Sequence, residues 1–174
     1  MPNVRPSQPL DVPAITAIYR HHVLYGTGTF EIEPPTLADM TTRRQDVLNK
    51  QLPWLVAEGE DGSILGYAYA NWFKPRPAYR FSAEDSIYVS DAARGQGIGR
   101  LLLDALCREC EAVGVRKLIA VIGDSTNAGS VGVHRAAGFA HVGTLSAVGW
   151  KFDRWLDVVM MEKSLGAGAS TSPE

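Results

Sequence analysis

Three glycines at alternate positions, Gly95, Gly97 and Gly99, lie between two arginines in the stretch Arg94-Gly-Gln-Gly-Ile-Gly-Arg100. Just before them, Ile87, Tyr88 and Val89 form a β-branched and aromatic run that predicts a strand. After them, Leu101, Leu102, Ala105 and Leu106 recur at helical spacing. A strand, a glycine turn and a helix N-terminus together can grip phosphate. Glycine lets the backbone approach an anion, and the first N–H groups of a helix have no intrahelical partner. Gly95, Gln96, Gly97, Ile98 and Gly99, flanked by Arg94 and Arg100, are therefore candidate phosphate-binding residues. Two familiar loops do not fit. A Walker loop needs Lys and then Ser or Thr after its last glycine, where this chain has Arg100-Leu101. A dinucleotide fingerprint reads G-x-G-x-x-G, and the spacing here is G-x-G-x-G.

A second cluster of polar residues lies further on. Asn127, Ser130 and His134 follow the apolar run Lys117–Ile122 and lead to Gly138-Phe139. Asn127 alone suits a helix N-cap. His134, with an ordinary pKa of about 6.5, can give or take a proton near neutrality, and it equally suits a helix residue that only packs. Lys74 and Arg76, in the Lys-Pro-Arg-Pro run, read either as solvated loop charges or as partners for an oxyanion, which a guanidinium can meet with two bonds.

The elements that must position these residues follow from apolar spacing. A short strand is expected at 3–7. Asp11 can then cap a helix carrying Val12, Ile15, Ile18, Tyr19 and Val23 on one face. Thr36 and Asp39 resemble a capping box for a second helix to about Lys50. Trp54–Glu58 and Ile64–Trp72 read as a hairpin with Asp61-Gly62 in its turn. Lys74–Tyr79 is a loop stiffened by its prolines. The helix between the strands at 87–89 and 117–122 makes those strands parallel. A helix over 128–137 ends at Gly138, and strands at 139–146 and 155–162 close the chain.

The 174 residues are 45% hydrophobic and 21% charged, with a formal net charge of −2. That is the balance of one globular domain, placed at 1–165, followed by a small, polar and disordered tail at 166–174. It provides no bulk attraction to nucleic acid or to an anionic membrane. No apolar run reaches the roughly 20 residues of a membrane span, and the N-terminus lacks the apolar core of a secretory signal, so the expectation is a cytoplasmic enzyme. Cys107 and Cys110 have C-x-x-C spacing but lie within the predicted helix, with no second ligand pair. They read as core residues, and no metal site is expected.

Arg94-x-x-Gly97-x-Gly99 resembles the R/Q-x-x-G-x-G/A pattern of the GNAT acyltransferases, and Asn127-x-x-Ser130-x-x-x-His134-x-x-x-Gly138-Phe139 resembles their second signature. The element order matches the family's α/β (α+β) fold, a mixed sheet whose splayed parallel strand pair holds acetyl-CoA. The resemblance implies that the glycine loop holds the pyrophosphate. It also implies that the backbone of Ile87, Tyr88 and Val89, with Asn127 and Ser130, meets the pantetheine arm. His134, where the family usually has tyrosine, would lie near the CoA sulfur. Glu84 becomes the candidate base. A free α-amino group has a pKa of about 7.7–8.0, so a carboxylate acting directly or through one water suffices, and Asp85 beside it keeps the assignment open.

Arg76-x-x-Tyr79, Glu84-x-Ser86-Ile-Tyr-Val89 and Val148-Gly-Trp-Lys-Phe-x-Arg-Trp-x-Asp157 narrow the likeness to the phosphinothricin and methionine sulfoximine N-acetyltransferases, over about Val4 to Leu165. In that group Lys74, Pro75 and Arg76 with Glu84, Asp85 and Ser86 match substrate contacts, and Phe30, Tyr79 and Gly149-Trp150 match pocket walls. The implied acceptor is a small amino acid analogue, and polyamines, aminoglycosides or a protein N-terminus are the alternatives. A non-catalytic acyl-CoA-binding module is a third reading. Exposed-looking aromatics on the last strands, Phe152 and Trp155, imply a homodimer.

Overall fold

Alternating and helically spaced apolar residues resolve into seven strands and four helices. The computed structural model describes residues 1–174. The elements in chain order are β1 (Asn3–Pro6), α1 (Val12–Tyr25), α2 (Leu37–Asn49), β2 (Trp54–Glu58), β3 (Ile64–Trp72), β4 (Ser82–Val89) and α3 (Ile98–Ala112). They continue with β5 (Lys117–Gly123), α4 (Ala128–Ala136), β6 (Ala140–Lys151) and β7 (Arg154–Ser164). The strands form one sheet in the order β1-β2-β3-β4-β5-β7-β6. Only β4 and β5 are parallel, because α3 carries the chain back across the sheet between them.

Side chains on a strand alternate between its two faces. On β4 this sends Asp85 toward α4, where it meets His134, and Tyr88 toward α1, where its ring meets Tyr19 and His22. Glu84 and Ser86 share the face of Tyr88. The apolar side of α3 (Leu102, Leu103, Leu106 and Cys110) is fully buried, and Cys107 nearly so. Both cysteines are free, as core residues would be.

Local chemistry sets most boundaries. The Thr36 hydroxyl accepts the Asp39 N–H at 3.1 Å and the Asp39 carboxylate accepts the Thr36 N–H at 2.9 Å, closing the expected capping box. Asp11 departs from expectation. It occupies the N-cap of α1, but its carboxylate takes two bonds from the Arg5 guanidinium, at 2.8 and 2.9 Å, and one from the Gln8 N–H. A charge-assisted bidentate pair outcompetes a helix cap for the same oxygens.

The last two strands are longer than expected and meet at a tight turn. Phe152 and Asp153 both have φ of 54°, the left-handed conformation of a two-residue hairpin turn. Residues 166–174 contain no helix or strand. They touch the body where Arg116 donates to Thr171 Oγ1 and where Arg80 pairs with Glu174 at 3.0 Å.

Candidate active site

The β4–β5 ladder runs from Ser82↔Lys117 to Asp85↔Ala120 and stops there. β4 continues to Val89 against β3, and β5 continues to Gly123 against β7, so a gap opens between them. The Ser90 N–H donates to Leu65 O on β3. By alternation, the main-chain groups of Ile87 and Val89 face the gap, and those of Ser86 and Tyr88 face β3. Of the three strand residues expected to meet a cofactor, Ile87 and Val89 turn their main-chain groups into the gap. Tyr88 instead turns its ring into an aromatic cluster with Tyr19, His22 and Tyr67. His22, which sequence reasoning missed, donates from Nε2 to Val89 O at 2.8 Å. Burial lowers its pKa, which favours a neutral ring with the proton on that nitrogen.

The glycine loop lies at the mouth of this gap. Gly95 and Gly97 have φ of +74° and +80°, a region side chains avoid, and a Cβ added to either would meet nothing within 4 Å. The space beside them is therefore open to a ligand. No side chain caps α3, and its first internal bond runs from the Leu101 N–H to Gly97 O. The N–H groups of Ile98, Gly99 and Arg100 thus lack helical acceptors, which makes an anion cradle. The Ile98 side chain is buried, so it contributes only its N–H. Gly99 packs closely on Val133 of α4. The Arg94 guanidinium pairs with Asp91 at 3.2 Å and Arg100 with Asp104 at 2.7 Å, both exposed, and Gln96 donates to Ala92 O.

Asn127 caps α4, its carbonyl oxygen accepting the Ser130 N–H and its amide donating to Gly123 O at 3.0 Å. The local reading of this residue is thus realised. Ser130 gives its N–H to Asn127 and its carbonyl to His134, which leaves its hydroxyl uncommitted.

Glu84 and Asp85 are neighbours with opposite fates. Glu84 is half-buried beside the end of the ladder. Burial raises its pKa, the Asp85 charge adds to this, and Lys74 offsets part of it. A carboxyl moved toward neutrality is a stronger base once ionised. Tyr69, stacked on Trp54 at 4.1 Å between ring centres, lies within reach of Glu84, Ser86 and Glu31. Lys74, Pro75 and Arg76 are exposed, and the Arg76 carbonyl starts a short turn over Pro77–Tyr79.

The Asp85 side chain, expected among the substrate contacts, is instead buried against His134. Its Oδ2 lies 2.8 Å from Nε2, and the two side chains are 1% and 2% exposed. His134 Nδ1 donates to Ser130 O at 2.7 Å, and the ring edge meets Phe139. Neither ring nitrogen is free for a departing thiolate, which is the position the resemblance had implied. Burial works against charge on the ring, but the Asp85 hydrogen bond and charge outweigh it, so the His134 pKa is raised. The stability this pairing contributes is complete below the ordinary histidine value of 6.5 and is lost as pH rises through the raised folded value. Melting curves across alkaline pH are expected to show a decline for the wild type that is absent in Asp85→Asn.

The loop after α1 also reaches the site. Lys151, buried on β6, donates to Gly26 O at 2.8 Å and Thr29 O at 2.9 Å. Phe30 is wedged against Gly123 and Gly149, where an added Cβ would collide with its ring. Arg43 grips Glu31 with two bonds, at 2.9 and 2.6 Å, and Tyr19 donates to the same carboxylate. Position 28 of this loop lies beside the Asn127 amide. Glu31 and Arg43 are distant in sequence and follow no periodic pattern, so only the fold reveals their pairing.

A model of the acetyltransferase (GNAT) family matches residues 15–139, which span the gap, the glycine loop and α4. The chain belongs to the GNAT acetyltransferase family. Phosphinothricin N-acetyltransferase of Alcaligenes faecalis is 53% identical over 164 residues, covering 94% of this chain and 83% of that one. The L-methionine sulfoximine/L-methionine sulfone acetyltransferase of Pseudomonas aeruginosa is 38% identical, covering 94% of both. The crystal structure of a GNAT phosphinothricin acetyltransferase from Sinorhizobium meliloti in complex with acetyl-CoA superposes with a TM-score of 0.97. It is 44% identical and covers 99% of this chain and 93% of that one. The protein is an N-acetyltransferase, with the GNAT fold expected from its sequence.

Proposed function

We propose that the protein transfers the acetyl group of acetyl-CoA to the α-amino group of a small amino acid analogue of the phosphinothricin, methionine sulfoximine or methionine sulfone type. The observation that carries this reading is the β4–β5 gap, with an open anion cradle at one end and Glu84, its pKa raised, at the other. The acceptor class is supported by the relatives named for these substrates. Lys74, exposed and close enough for its charge to act on Glu84, and Arg76, exposed on the same loop, suit an acceptor bearing a carboxylate or phosphinate and oppose a polycationic one.

Attack is direct within a ternary complex. The amine nitrogen forms a bond to the thioester carbonyl carbon, the C–S bond breaks with its electron pair on sulfur, and the amine proton leaves to Glu84 or through one water to it. The thiolate takes its proton from solvent, because both His134 nitrogens are committed. A covalent acyl-enzyme is disfavoured, since Cys107 and Cys110 are buried in α3 with thiol pKa values raised by that burial. Initial-velocity measurements varying acetyl-CoA and phosphinothricin or methionine sulfoximine test this. Intersecting double-reciprocal lines are expected, and parallel lines would point to an acyl-enzyme.

The chain also works as a homodimer in this proposal. β6 is an edge strand, and Val142, Leu145, Val148 and Trp150 on it, with Phe152 and Trp155 beyond, are all about half exposed or more. So long an apolar edge seldom stays bare on a monomer. Light scattering at micromolar concentration is expected to give twice the chain mass, and the monomer mass alone would contradict the proposal.

A further inference from the structure

The buried Asp85–His134 pair is an ionisable cluster in the core that the reaction above does not use. Its location is specific. Asp85 is the last residue of β4 that pairs with β5, so it marks the point where the gap opens. His134 reaches it from α4, and its other nitrogen holds the carbonyl of Ser130 in the first turn of that helix. A continuous chain of hydrogen bonds therefore runs from β4 through Asp85 and the His134 ring to Ser130. The Asn127 cap ties this same turn to the end of β5, its carbonyl oxygen accepting the Ser130 N–H and its amide donating to Gly123 O. Asp85 Oδ1 is buried without any partner, which leaves the ring as the carboxylate's sole hydrogen-bond partner. Breaking such a pair on one side strands a buried charge, so the geometry is strongly held.

We propose that Asp85 is a positioning residue. Through the His134 ring it fixes the first turn of α4 against the end of the β4–β5 ladder, and so sets the slot for the acyl-CoA arm. His134 is then part of the wall and does not act as an acid. This rests on the acetyl-CoA reading given above. The charged and titratable groups around the pair are Cys107 and Cys110 on α3, Glu84 on the opposite face of β4, and Lys163 on β7. Lys163 donates to Ala137 O and lies near Cys107. None of them offers the ring a second hydrogen-bond partner.

The test pairs calorimetric titration of acetyl-CoA with steady-state kinetics on wild type, Asp85→Ala and Asp85→Asn. Asparagine keeps an acceptor for Nε2, and alanine keeps none. Asp85→Ala is expected to weaken acetyl-CoA binding and raise its KM by about tenfold or more, the scale of one hydrogen bond to a charged group. Its kcat should fall less, and its pH–rate profile should keep both rises, with the Glu84 rise moved to lower pH by loss of the Asp85 charge. Asp85→Asn should recover most of the affinity. In the wild type, ring signals of histidine labelled with nitrogen-15 are expected to show His134 titrating above the ordinary histidine value, at a pH that matches neither limb of the pH–rate profile. That measurement needs no variant to fold. A His134 titration coincident with a limb of the pH–rate profile would overturn the proposal, as would wild-type acetyl-CoA affinity in a folded Asp85→Ala. A wild type that does not bind acetyl-CoA would instead defeat the underlying functional reading.

Discussion

Glu84→Gln is expected to lower kcat/KM at neutral pH by about 10²- to 10⁴-fold, the usual contribution of a positioned general base. The amide keeps the shape of the side chain and removes its ability to take a proton. The sign with pH follows from two titrations. In the wild type, activity rises as pH passes the raised Glu84 value, and again as the acceptor amine, with an ordinary pKa of about 7.7–8.0, loses its own proton. The variant retains only the second rise, so its deficit shrinks at alkaline pH. Acetyl-CoA affinity should be unchanged, because the side chain lies on the face of β4 away from α4. A uniform deficit at every pH would assign Glu84 to substrate positioning.

Gly97→Val is expected to abolish measurable acetyl-CoA binding while leaving a folded protein. Gly97 has φ of +80°, which a β-branched residue adopts only with strain, and it is the N-cap of α3 beside unpaired N–H groups. A Cβ there meets nothing in the protein, so the new side chain occupies only the space of the anion. Calorimetry showing wild-type affinity in this variant would remove the glycine loop from the binding site.

The sheet and helix order, the hairpin at Asp61-Gly62 and the Thr36–Asp39 capping box were legible because each rests on local periodicity or on a turn residue. The glycine loop was legible for the same reason, since its chemistry lies within seven consecutive residues. Asp11 was misread because a cap is judged from its neighbours in sequence, whereas Arg5 reaches it from β1. Asp85 and His134, 49 positions apart, read as a substrate contact and as either a proton donor or a packing residue. Only the pairing of β4 with β5, and the packing of α4 over it, turn both inward onto each other. The staple of Lys151 onto the carbonyls of Gly26 and Thr29 was equally hidden, because a carbonyl acceptor leaves no trace in residue type. The hairpin β6–β7 was cut short because the tight turn at Phe152-Asp153 contains no glycine to announce it.

Acetyl transfer to an α-amino group is tested by identifying the product. The wild-type enzyme is incubated with acetyl-CoA and phosphinothricin, or methionine sulfoximine, and the mixture is analysed by mass spectrometry and NMR alongside free thiol. One N-acetyl product, modified at the α-nitrogen, is expected for each CoA thiol released. Thiol release without an N-acetylated amino acid, or no acetyl transfer to any analogue of this class, would contradict it.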